Sequence, residues 1–79
     1  MAKKRVTLTF PQELIKEPVI FRMAKQFDLV PNIRRAKVTE TVGEVTLELS
    51  GSDKNLKTGI KHLEQLGVKV EPVVGDLVE

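Results

Sequence analysis

The order in which hydrophobic periods follow one another constrains this sequence most. Val6, Leu8 and Phe10 alternate with Thr7 and Thr9, the two-residue period of a strand with one buried face and one wet face. Pro11 ends that strand. After a loop through Glu17, Pro18 suits the first turn of a helix, where its missing N–H would have no partner anyway. Ile20, Met23, Ala24 and Phe27 then recur at i, i+3, i+4 and i+7, with Arg22, Lys25 and Gln26 on the other side, which predicts an amphipathic helix lying on a sheet.

The stretch from Leu29 to Glu40 is extended and rich in polar residues, and its Pro31 is tolerated only at a strand start or a sheet edge. An edge strand is expected here. Its apolar alternation changes parity between Ile33 and Ala36/Val38, so either a bulge intervenes or one of these side chains faces outward. Thr41-Val42-Gly43 is the expected turn into a partner strand, in which Val45, Leu47 and Leu49 alternate with Thr46, Glu48 and Ser50. Ser52-Asp53 offers a helix N-cap, Leu56, Ile60 and Leu63 form a helical stripe, and Gly67 stands where a left-handed residue closes a helix. Val68, Val70 and Val73-Val74 predict a last strand interrupted by Pro72, followed by a loose acidic tail over residues 75–79.

Strand, helix, strand, repeated once, is the split βαβ arrangement. Right-handed crossovers then place both helices on one face of a four-stranded antiparallel sheet. The expected fold is α+β, a ferredoxin-like β-α-β-β-α-β sandwich forming a single domain over residues 1–79. A chain this short buries only roughly 60% of the surface its unfolded form exposes, so it can build one marginal core, and a homodimer is expected to add buried area.

Composition removes several function classes. The 79 residues include no cysteine, so disulfides, thiolate metal sites, iron–sulfur clusters and cysteine nucleophiles are excluded, and the cytoplasm is the expected compartment. The lone His62, read as a surface side chain, lacks a second histidine or a spaced carboxylate for a metal site. No pair of glutamates stands against an apolar wall that would separate their proton affinities for acid–base chemistry. No enzyme activity, metal or cofactor is therefore expected. No apolar run approaches the roughly 20 residues that span a bilayer, so no membrane segment is expected either.

The three phenylalanines all fit core positions and there is no Tyr or Trp, which leaves no aromatic platform for stacking bases. A net charge of +2 is small for a nucleic-acid binder, so the basic run Arg34-Arg35-Lys37 reads first as a charged edge that discourages strand addition. Asn32, at the start of that edge strand, can both donate to and accept from an amino-acid ligand or a partner's backbone, or simply cap a turn, and Gly43 in the turn Val42-Gly43-Glu44 is read as allowing a backbone conformation other residues resist.

Several segments together resemble the NIL domain, an ACT-like, ferredoxin-like module found in the ATPase subunits of methionine ABC importers and in some ferredoxin-type proteins. The resemblance rests on Leu8-Thr9-Phe10, Glu17-Pro18-Val19-Ile20, Asn32-Ile33, Gly43, Val45-Thr46-Leu47-Glu48-Leu49 and Leu63-Gly67-Val68, in that order and spacing. The Asn-Ile-Leu for which the family is named reads Asn32-Ile33-Arg34 here. The resemblance implies a non-enzymatic regulatory domain that pairs with a second copy and binds a small amino acid, such as methionine, at the shared boundary, with Asn32, Ile33 and Arg34 as the ligand-binding residues. The alternative is an adaptor that joins a protein partner through its sheet edge and takes no small molecule.

Overall fold

In the computed structural model, which describes residues 1–73, the element order is β1 (Ala2–Phe10), a single 3-10 turn (Gln12–Leu14), α1 (Val19–Gln26), β2 (Val30–Val38), β3 (Gly43–Gly51), α2 (Asp53–Gln65) and β4 (Lys69–Pro72). The strands form one antiparallel sheet in the order β2-β3-β1-β4. This is the expected ferredoxin-like α+β fold. β1 begins earlier than the Val6–Phe10 alternation suggests, because Ala2 to Arg5 pair with Gly51 to Glu48. The residues 74–79, including Val74 and the expected loose tail, lie outside the described part; Val73 follows β4 and donates its N–H to the Arg5 carbonyl at 3.1 Å.

Packing follows the periods. Val6, Leu8, Val45, Leu47 and Leu49 point to one face of the sheet and are buried there against Val19 and Met23 of α1 and Leu56 and Leu63 of α2. Val6, Leu8, Met23, Leu47, Leu49 and Leu63 are wholly inaccessible. Each such side chain contributes roughly 1.5–3 kcal/mol by leaving water, and these six anchor a domain of this size.

The helix ends show how local chemistry sets the boundaries. Pro18 precedes α1 as its N-cap, one position before the first turn where it was expected. α1 ends when Asp28 takes a left-handed conformation (φ 54), which Asp tolerates better than most residues, and Leu29 N–H then reaches back to the Ala24 carbonyl at 2.8 Å. α2 opens on Ser52, whose hydroxyl accepts from Asn55 N–H at 3.0 Å. It closes with Gly67 at φ 99, where Gly67 N–H bonds the Glu64 carbonyl and Val68 N–H the Leu63 carbonyl, both at 3.0 Å. That pair of bonds is the Schellman cap, and buried Val68 supplies its apolar contact.

Three expectations need correction. The hairpin turn is Thr39 to Val42, where Thr39 N–H donates to the Val42 carbonyl and the Thr39 hydroxyl accepts from Val42 N–H; Gly43 is already in β3. Its backbone is not left-handed, and the position is instead close-packed: a Cβ there would lie 3.0 Å from Ile15 Cγ1 and 3.3 Å from Phe10 Cβ, so those side chains would have to shift. His62 is not a plain surface side chain, since it is half-buried with its ring 5.2 Å from that of Phe27. Finally, Phe10 and Phe27 pack on the core, but Phe21 stands 64% exposed on α1, beside Lys25.

Candidate functional site

β2 is where structure departs from ordinary packing. Among the described residues it pairs with β3 alone, so its other side is the edge of the sheet. Ile33 lies opposite Leu47 and Arg35 opposite Thr46, which leaves Arg34 as an extra residue and places a bulge between Ile33 and Arg35. The parity break in the sequence is therefore a bulge. Because cross-strand partners share a face, Ile33, Ala36 and Val38, opposite Leu47, Val45 and Gly43, all turn to the helix side. Asn32, Arg35 and Lys37, opposite Glu48, Thr46 and Glu44, turn to the open side.

The inward set is not covered. Ile33 and Val38 remain 55% and 59% exposed, whereas Leu47 and Gly43 opposite them on β3 are buried; Val30, opposite Ser50, is 58% exposed on the open face. α1 stops short of the edge strand and leaves a groove of about 270 Å3. One wall is Ile33, Ala36 and Val38 of β2; the other is Pro18, Ile20 and Phe21 at the start of α1. Its lining is apolar apart from Glu17 and backbone. Pockets for drug-sized ligands run upward from about 300 Å3, so this groove suits a group of amino-acid size.

The open face is polar across its width. Thr7 and Thr46 share a hydroxyl hydrogen bond at 2.9 Å, and Arg5 reaches Glu48 at 3.5 Å. No group of three or more His, Cys, Asp or Glu that could hold a metal occurs among the described residues. No helix among them is long and apolar enough to cross a membrane. A wider cleft between the start of β1 and α2 is bordered by Lys4, Lys57 and Lys61 and includes none of the candidate residues.

The three residues expected to bind ligand are thus neighbours in sequence but not in direction. Ile33 lines the helix-side groove. Asn32 shares the open face with Glu48, and Arg34 lines a separate cleft there. Sequence reasoning missed the wall opposite Ile33, because Pro18, Ile20 and Phe21 meet it only through the fold. One signal was available: Phe21 falls off the stripe of Ile20, Met23, Ala24 and Phe27, and an aromatic on the wet side of a helix wants a reason.

Comparison with known proteins agrees with this architecture. Over 67 residues the chain is 39% identical to the methionine import ATP-binding protein MetN 2 of Acinetobacter baylyi. That alignment covers 80% of this chain and 20% of the relative, so the chain spans about a fifth of the relative's length. Among solved structures, the C-terminal domain of an ABC transporter ATP-binding protein from Enterococcus faecalis is similar with a TM-score of 0.81 and 26% identity, covering 92% of this chain and 86% of that one. Residues 4–72, which take in both helices, β2, β3, β4 and β1 from Lys4 onward, match the NIL domain, and the chain belongs to that family.

Proposed function

We propose that this domain is a non-enzymatic regulatory module that binds a small amino acid, methionine first among the candidates, at the boundary between two copies of the chain. The observation that carries this reading is the uncovered apolar row of β2: Ile33 and Val38 are more than half exposed, with exposed Ala36 between them, on a strand edge that no described residue pairs, beside a groove of amino-acid size. Exposed apolar rows of this kind mark binding surfaces. The relative named for methionine import supports methionine as the ligand.

In this reading Ile33 and the facing Phe21 take the ligand's apolar side chain. Asn32 supplies hydrogen bonds to its polar end, and Arg34, the extra residue of the bulge, adds a charged contact from the same edge. A second copy laid along β2 would pair the open backbone groups and close the groove over the ligand. Regulation follows by linkage, because a ligand that prefers the paired form stabilises it by an amount that grows with the logarithm of ligand concentration above its Kd.

The test is a thermal-shift panel of amino acids on the wild type and on Asn32→Ala, with sedimentation of the same samples. A methionine-dependent rise in Tm that is lost in the variant, together with a heavier species, is the expected result. If no amino acid moves Tm or the sedimentation coefficient, the reading fails and the exposed row is left to a protein partner.

A further inference from the structure

β2 carries one residue more than β3 can pair, and that residue is an arginine. The extra position re-aims side chains locally, so that Arg34 and Arg35 both line one cleft of about 330 Å3 on the open face, together with Thr46 of β3, Arg5 of β1 and Val73. Arg5 is already held by Glu48 at 3.5 Å. Arg34 and Arg35 are exposed, and neither is ion-paired within the described residues. Among the described residues the cleft thus brings together three guanidinium groups, of which Arg5 is already engaged with Glu48. It also holds a hydroxyl, since Thr7 and Thr46 use only one of their two hydrogens on each other.

We propose that this cleft binds a compact oxyanion, the phosphate or carboxylate group of a small ligand. Two consecutive guanidinium groups turned to one face repel each other, and an anion between them replaces repulsion by charge-assisted hydrogen bonds. The flat fork of each guanidinium matches two oxygens of such a group. Neighbouring charges select for size. Glu44, Glu48 and Glu71 lie on the same face, opposite Thr9, Arg5 and Thr7 of β1. A polyanion laid across the sheet meets all three carboxylates, whereas a single phosphate or carboxylate group at Thr46 is flanked by Glu44 and Glu48 alone, which face Lys37 and Arg5 across the ladder. The cleft lies on the sheet face opposite the apolar groove, so either site can exist without the other.

The experiment is an NMR titration of the whole chain at low ionic strength with inorganic phosphate, pyrophosphate, succinate and methionine, repeated on Arg34→Gln, Arg35→Gln and Arg34→Lys. The expected result is a saturable shift of Arg34, Arg35 and Thr46 resonances with an oxyanion. Each glutamine variant should weaken it about tenfold, the effect of losing one charge-assisted pair, and the lysine variant should fall between. Phosphate or pyrophosphate binding in preference to succinate identifies a phosphate ligand, and the reverse order a carboxylate. Methionine should move Arg34 together with groove residues such as Ile33 and leave Arg35 and Thr46 in place, so failure of one site is read separately from failure of the other. The proposal is overturned if no saturable shift appears at millimolar anion, if the shifts are unchanged in both glutamine variants, or if a short single-stranded RNA binds more tightly than pyrophosphate with shifts spread over the whole sheet. Unchanged dispersion in the variants' spectra confirms that each remains folded.

Discussion

β2 and β3 are neighbouring antiparallel strands of nine residues each, yet they do opposite things. β3 lies between two partners and buries every second side chain, from Gly43 through Val45, Leu47 and Leu49 to Gly51. β2 has one partner among the described residues, starts on a valine and a proline, carries a bulge, and buries none of its residues below the half-exposed range. Both carry alternating apolar residues, unbroken in β3 and with one change of parity in β2. What separates them is position in the sheet, because a strand's apolar face is buried only where a helix reaches over it. β3 holds the domain together, and β2 displays.

If that division is right, substitutions in the two strands should separate stability from binding. Leu47→Ala removes a wholly buried side chain and should cost about 2–5 kcal/mol in chemical denaturation, enough to leave little folded protein. Gly43→Val forces two methyl groups against Ile15 and Phe10 and should cost about 1–3 kcal/mol. Ile33→Ala, although directly across from Leu47, should cost about 1 kcal/mol or less when measured in dilute protein. A cost that grows with protein concentration would show that a second copy covers Ile33. Asn32→Ala should change stability by no more than about 0.5 kcal/mol, and its effect should appear only as loss of the methionine-dependent rise in Tm. An Ile33→Ala cost equal to that of Leu47→Ala at every concentration would break the comparison.

Much of the fold was legible because its signals are local. The alternation of Val45, Leu47 and Leu49 and the Ser52 and Gly67 caps each rest on a few adjacent residues, and each appears as expected. The parity break at Ile33 announced an irregularity, but only pairing with β3 could decide that it is a bulge. Gly43 was misread because a glycine in a close-packed place and one needed for a turn look alike in sequence; Ile15 and Phe10, which make the difference, are distant along the chain. His62 was misplaced for the same reason, since its neighbour Phe27 belongs to the other helix's end. The candidate site was legible only in part. Asn32, Ile33 and Arg34 could be picked out as a run, but that Ile33 faces one side of the sheet and Arg34 a cleft on the other depends on register.

The bulge has a consequence for how such a domain can change over generations. A chain lacking Arg34 would pair Ile33 and Arg35 in plain alternation, with Ile33, Ala36 and Val38 still inward, because the extra residue sits outside the ladder's count. Insertion or loss at this point therefore edits what the domain shows to solvent while its inward lining keeps the same spelling. The edge strand works like a label holder: the wording on one side can be replaced without refitting the other.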